Sequence, residues 1–230
     1  MYSKKGYLKN SPDVNKPLNI IPGNKITMKG VDLSPPLIFR DRFDFDLDKI
    51  NPIADELLAD ENAYTGPPFG IGDSRTTFKV SQEKQPHFHP DNKLFVEWLG
   101  VRIRQVMQIW LDEPYPIFIS NSWYNTHKSG GWQDEHVHAL SRWSVSAYLD
   151  VPLNSGSILF RDPLHEILRN STSESAQHCW KIVPVNTGDV LIFPSWLRHK
   201  TEVCKSVDRR LVWSLNVGYK TAVPEPVLHL

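Results

Sequence analysis

The chain has 230 residues, and its 26 Lys and Arg are matched by 26 Asp and Glu, so its formal charge is zero. Without a cationic surplus there is little to neutralise phosphates and release counterions, which argues against a nucleic-acid binder that works by charge. The longest apolar runs, such as Val190–Phe193, are a few residues long where a bilayer span needs about 20, which argues against a membrane helix. The first residues lead into polar residues and prolines rather than an apolar signal core, so the expected compartment is the cytoplasm. Cys179 and Cys204 are too few for a disulfide scaffold or a four-thiolate zinc site, and both are read as thiols. A hydrophobic content of 40% with eight Trp and ten Phe suffices for a core of one domain, or one domain with an appendage.

Residues 1–36 read as an irregular N-terminal extension, because Pro12, Pro17, Pro22, Pro35 and Pro36 deny it long helices or central strands. Residues 37–115 read as a helical support region. Leu47, Ile50, Ile53, Leu57 and Leu58 recur at helical spacing over 46–62, with Pro52 expected in the first turn. A stronger helix is predicted from Asp91, its cap, to about Leu111, where Leu94, Phe95, Trp98, Leu99, Val106, Met107 and Trp110 recur at three- and four-residue steps and Pro114 and Pro116 end it.

From 116 to 222 the texture changes to short β-branched and aromatic runs between turn residues: 117–125, 132–138, 143–149, 157–160, 180–185, 190–193, 199–203 and 211–219. Eight such strands predict a jelly roll. The chain is therefore expected to be mainly β, α+β overall, with a helical N-terminal portion packed on the sandwich. Asn170–Ser175 reads as an exposed loop, and Trp123, Trp132, Trp143, Trp196 and Trp213 as sandwich core.

Nine histidines are present, and His87/His89 and His136/His138 are H-x-H pairs. On a regular strand both imidazoles of such a pair share one face and can share a metal, with a third ligand from elsewhere. His199 follows a turn, an apolar strand and a loop that can return it to the mouth of the sandwich. Arg210 opens the last apolar strand and needs an anionic partner, since its guanidinium never neutralises; Asp189 is one candidate. Asn121, Trp123 and Asn125 alternate onto one face, Tyr148 shares a face with Ser144 and Ser146, and Ser214 shares the Arg210 face. His127, His165, His178 and His229 read as ordinary surface or core residues. His87/His89 lies between Pro86 and Pro90 before the long helix, where it can hold a metal, orient the helix or border a substrate pocket.

Ser122–Asn125, Gly130–Gln133, His136-Val137-His138, Tyr148-Leu149, Phe160–Pro163, Gly188–His199 and Arg210–Asn216 together resemble the iron(II)/2-oxoglutarate-dependent oxygenases, and within them a bacterial and phage branch with H-x-H. The resemblance spans about 117–219 and implies a double-stranded β-helix. It assigns His136 and His199 to Fe(II), with His138 at the third ligand position, and Arg210 to the far carboxylate of 2-oxoglutarate, while Tyr148, Asn125 and Ser214, by their strand faces, are candidates for co-substrate contacts. His138 stands where the wider family has Asp or Glu. The options are a three-histidine site, which we favour, two histidines with water, or a carboxylate from Asp134 or Glu135. The implied reaction consumes dioxygen and 2-oxoglutarate, releases succinate and carbon dioxide, and oxidises a C–H bond of an unidentified substrate. Halogenation is disfavoured because His138 fills the position that halogenating relatives leave vacant. The implied partners are small molecules, with a homodimer left open and a host-cell cytoplasm if the gene is a phage's. The rival readings are a three-histidine cupin-like dioxygenase without 2-oxoglutarate and a non-catalytic β-sandwich module.

Overall fold

The computed structural model describes residues 37–66, 70–110, 116–164 and 179–219. The expectations for 1–36, for Asn170–Ser175 and for His165, His178 and His229 lie outside these residues.

The elements are β1 (Phe39–Arg42), α1 (Leu47–Ala59), β2 (Ser74–Thr76), α2 (Lys93–Trp110), β3 (Ile117–His127), β4 (Trp143–Asp150), β5 (Ile158–Arg161), β6 (Trp180–Val183), β7 (Asp189–Pro194), β8 (His199–Thr201) and β9 (Arg210–Tyr219). An antiparallel six-stranded sheet runs β1-β7-β4-β9-β3-β2, and a three-stranded sheet runs β6-β5-β8. Among the described residues no helix is long and apolar enough to cross a membrane.

Strand alternation sorts the large sheet into two faces. Trp143, Val145, Ala147 and Leu149 of β4, with Leu211, Trp213, Leu215 and Val217 of β9, point to the helical side, where Ile50, Ile53 and Leu57 of α1 and Phe95, Leu99 and Ile103 of α2 cover them. The intervening residues point inward. There Tyr148, Leu191, Phe193 and Val212 meet Ile158 and Phe160 of the small sheet. The even-numbered positions of β4 and β9 therefore face the space between the sheets, and those positions carry Ser144, Ser146, Tyr148, Arg210, Ser214 and Asn216.

Most predicted strands fall within two residues of the observed ones, and the expected jelly-roll sandwich is found. Five expectations need correction. Residues 132–138 are not a regular strand: a tight turn at Gly130-Gly131 leads into them, and their strand-like pairing is limited to isolated bridges, Ile71 to Trp132 and His136 to His199. Gly130 has φ +87°, and a Cβ on Gly131 would lie 2.2 Å from the Asp73 carbonyl oxygen, so the turn requires both glycines. Pro52 stands in the second turn of α1, where it removes an N–H from the helical ladder, and the burial of Ile50, Ile53, Ala54 and Leu57 offsets that loss.

Asp91 does not cap α2. It lies in a single 3₁₀ turn, Pro90–Asn92, whose backbone N–H at Asp91 is taken by His89 Nδ1, while buried Asn92 donates to the Pro86 carbonyl at 2.7 Å. Leu94 faces solvent at 73% exposure, and Trp196 is 48% exposed, so neither belongs to a core. We expect Ile103→Ala, at 0% exposure, to lower unfolding free energy by about 2–5 kcal/mol, and Leu94→Ala to change it by less than about 0.5 kcal/mol, read from urea denaturation.

Candidate metal centre and its anion pocket

β7 is buried along its whole length, and its exit loop brings the chain back so that His199 opens β8. His136 and His199 exchange backbone hydrogen bonds, His136 N to His199 O at 3.0 Å and His199 N to His136 O at 3.1 Å. Their rings lie 4.2 Å apart between centroids. His138, tied to the exit loop by His138 N to Ser195 O at 2.9 Å, adds a third ring 5.2 Å from His136 and 5.1 Å from His199. One ring nitrogen from each of the three lies within 4.8 Å of the others.

Hydrogen bonding fixes which nitrogen each ring offers. His136 Nδ1 lies 2.7 Å from the Asp134 carbonyl, His199 Nδ1 2.8 Å from the Leu197 carbonyl, and His138 Nδ1 2.6 Å from Asn216 Oδ1. All three partners are acceptors, so each Nδ1 carries the proton and each Nε2 keeps a lone pair. Ser144 Oγ also donates to Asn216 Oδ1, at 3.2 Å, which holds that carboxamide in place. Burial lowers all three pKa values. His138 falls to about 4 through burial and the neighbouring His136, and His199 falls well below its ordinary value through burial and both neighbours. The cluster is therefore neutral at pH 7, the form in which imidazole binds a metal.

The two carboxylates considered from the sequence lie elsewhere. Glu135 Oε1 accepts from Arg161 at 3.1 Å and Arg198 at 3.5 Å, and exposed Asp134 accepts from the Glu135 N–H at 2.7 Å. The irregular backbone breaks the alternation that would have put Asp134 beside the histidines. His87 and His89 also lie apart from the cluster: His87 Nδ1 meets Ser122 Oγ at 2.8 Å, and His89 serves the turn before α2.

Arg210 is 1% exposed and directly opposite His127 across the β3–β9 ladder. Its Nη1 donates to the Ser155 carbonyl at 3.1 Å, its Cζ lies 5.3 Å from the Tyr148 ring centroid, and its Nε has no partner. Among the described residues no carboxylate lies within ion-pair distance. Asp189 is occupied by the Asn186 N–H at 2.8 Å and by Arg42 at 3.5 Å. Arg209 points the other way, to Asp55 and Asn51 of α1.

Around Arg210 other polar atoms are unsatisfied. Asn125 donates to Ser214 Oγ at 3.0 Å, but its Oδ1 has no partner, and neither does any ring nitrogen of His127. Tyr148 is held as a neutral phenol, its pKa pushed up to about 12 by burial. His127 is held as a neutral imidazole, driven down to about 3 by burial and then by Arg210. His127 is the site residue the sequence reading passed over as ordinary. The signal was available: it stands two residues past Asn125, on the same strand face.

Asn125, His127, Tyr148, Arg210 and Ser214 line one narrow cavity with His136, His138 and His199. Its free volume is about 20 Å³, room for a single water, so a larger ligand must displace side chains at its wall. Chemistry rather than size distinguishes it from a cleft of about 660 Å³ between α2 and β3.

Residues 121–216 match the model of a family described as "Putative 2OG-Fe(II) oxygenase". No curated protein sequence matches the chain. Among solved structures, the non-heme α-ketoglutarate-dependent epimerase SnoN from nogalamycin biosynthesis is 14% identical with a TM-score of 0.55, over 82% of this chain and 83% of SnoN. HygX from Streptomyces hygroscopicus, solved with nickel and 2-oxoglutarate, is 13% identical with a TM-score of 0.53, over 80% and 83%. A Pseudomonas putida prolyl-4-hydroxylase is 11% identical with a TM-score of 0.53, over 80% and 94%. At these identities the structures speak to the fold. The family match over residues 121–216 supports the resemblance read from the motifs.

A pH dependence follows from the buried imidazoles. Their folded pKa values lie below the ordinary value near 6.5, so the unfolded chain takes up protons first and stability falls as pH drops from about 6.5 toward 4 for His138 and 3 for His127. Between pH 7 and 5 each is expected to cost up to about 2 kcal/mol in the metal-free protein. Urea unfolding at the two pH values should show the loss, and His127→Gln should reduce it.

Proposed function

We propose that His136, His138 and His199 hold one iron(II) through their Nε2 atoms and that Arg210 fixes the far carboxylate of 2-oxoglutarate. On this reading the protein hydroxylates a C–H bond of a further substrate and releases succinate and carbon dioxide. One observation carries it: three neutral imidazoles with freed lone pairs share a cavity with a buried guanidinium that has no carboxylate within ion-pair distance among the described residues. Three neutral ligands leave the divalent charge of the metal uncompensated. The occupied cavity then has two positive poles, and 2-oxoglutarate has two carboxylates.

The donor set fits iron(II), since facial imidazole-rich sites with open positions suit it. Iron(II), when bound, supplies the activation of dioxygen. The chain's residues orient and bind. The carbonyls of Asp134 and Leu197 and the carboxamide of Asn216 set the three rings, and the Tyr148 ring and Ser155 carbonyl set the guanidinium. Asn125, Ser214 and His127 offer further hydrogen bonds to the co-substrate. A cupin-like dioxygenase without 2-oxoglutarate leaves Arg210 unpaired and without a task, and a structural module leaves both the freed lone pairs and the guanidinium without one. Cys179 and Cys204 are buried thiols, consistent with a reducing compartment such as the cytosol.

Anaerobic titration tests the assignment, because 2-oxoglutarate chelating protein-bound Fe(II) gives a weak visible charge-transfer band. His199→Ala should lose bound iron with its circular dichroism unchanged. Arg210→Lys should keep iron but bind 2-oxoglutarate at least about tenfold more weakly, since a lysine cannot form the bidentate pair. Wild-type affinity in Arg210→Ala, or no succinate from the wild type, would overturn the reading.

Asn216 provides a separate check. Asn216→Leu removes the acceptor that fixes the His138 tautomer, so metal affinity should fall by about 10- to 100-fold in a competition titration with Co(II), while affinity for 2-oxoglutarate at saturating metal changes less.

A further inference from the structure

A second cavity, of about 440 Å³, opens beside the histidine cluster and shares Trp123 and His138 with it. Asn216, which fixes His138, lines it as well. None of its ten lining residues is an Asp, Glu, Lys or Arg. Phe78 and Trp123 meet edge to face, 4.9 Å between centroids at 85°. Trp123 is buried, and its indole N–H has no partner.

Two further features point to a ligand. The register of β3 against β9 shifts between Ile119 and Asn121, and Ser120 and Asn121, which would face opposite sides of a regular strand, both line this cavity. Leu140, on the rim, is fully exposed and has φ +61°, a left-handed backbone that costs free energy for any residue with a Cβ. Val137 beside it is 41% exposed. An apolar rim held open to water on a strained backbone gains its contacts only from something that enters.

We propose that this cavity takes the primary substrate, and that the substrate is a small uncharged molecule with a planar apolar body, hydrogen-bonded by the Asn121 carboxamide and covered by Leu140. The inference rests on the oxygenase reading above. A carboxylate or ammonium group desolvated here would find no side chain of opposite charge among the lining residues. The charged clefts lie elsewhere: one near β8 is lined by Lys200, Glu202 and Lys205 and another by Arg161, Asp162 and Arg198, and neither includes a histidine of the cluster. The volume suits a compound of drug-like size.

The test uses the full chain loaded anaerobically with Fe(II) and 2-oxoglutarate and three probes of similar shape: neutral quinolin-2-one, anionic 2-naphthoate and cationic 2-naphthylmethylammonium. Ligand-observed NMR titration should show quinolin-2-one binding, with both charged probes at least about tenfold weaker. Leu140→Asp and Asn121→Leu should each weaken quinolin-2-one by about tenfold or more. Leu140 is exposed, so Leu140→Asp keeps the fold. Equal or tighter binding of 2-naphthoate, wild-type affinity for quinolin-2-one in Leu140→Asp, or no binding of quinolin-2-one at all would overturn the proposal. The charge-transfer band, measured without any probe, separates the two readings. If the band forms and quinolin-2-one does not bind, the substrate class is wrong; if the band is absent, the oxygenase reading fails.

Discussion

A guanidinium sealed inside a protein without a carboxylate is an expensive arrangement, and in this molecule it organises the space between the sheets. Arg210 cannot shed its charge, is 1% exposed, and has one carbonyl and one aromatic ring as its fixed neighbours. An unpaired buried charge costs several kcal/mol even after relaxation. The rest of the fold must be stable enough to carry that cost until an anion arrives. Two layers of packing do this: the α1–α2 cover on one face of the large sheet and the small sheet on the other.

The division of labour is written in strand parity. Odd positions of β4 and β9 hold Trp143, Val145, Ala147, Trp213 and Leu215, all nearly inaccessible and packed toward the helices. Even positions hold the polar groups. The same two strands thus build the core that stabilises the domain and a wall of the polar cavity, so a slip of one residue in register would bury the wrong set. Arg209 shows how tightly this is set: one residue before Arg210, it ties the start of β9 to α1 through Asp55 and Asn51. It acts as a strut for the helix that covers the sheet, so its removal is not silent for stability.

Much of this was legible because period-2 alternation and spaced motifs both survive in the sequence. Seven of the eight strands, most of α2, the face that Ser214 shares with Arg210 and the face that Tyr148 shares with Ser144 and Ser146 follow from residue order, and the set His136, His138 and His199 from the family resemblance. What was not legible depends on long-range geometry. Residues 132–138 look like a strand by composition, yet the Gly130-Gly131 turn and the contacts of His138 with Ser195 and Asn216 impose an irregular path. That path excludes Asp134 from the cluster. The role of Asn216 appears only when β9 is laid beside β4, which brings it opposite Ser144. A single histidine in a β-domain is usually ordinary, and the place of His127 on the Asn125 face gains meaning once the register sets it opposite Arg210.

The imidazole at position 138 is intelligible from the same electrostatics. A carboxylate there would stand in the cavity that Arg210 lines and would offer the guanidinium an internal counter-charge. It would also meet Asn216 Oδ1, an acceptor where it needs a donor, unless that carboxamide turned over and lost its bond from Ser144. Histidine avoids both conflicts. Its Nδ1–H satisfies Asn216, its neutral ring is far less costly to bury than a carboxylate, and it leaves Arg210 without a carboxylate partner among the described residues. The site therefore keeps its positive charge for a ligand. On the proposed reading, that favours a chelator of iron(II) with a second carboxylate placed to reach the guanidinium.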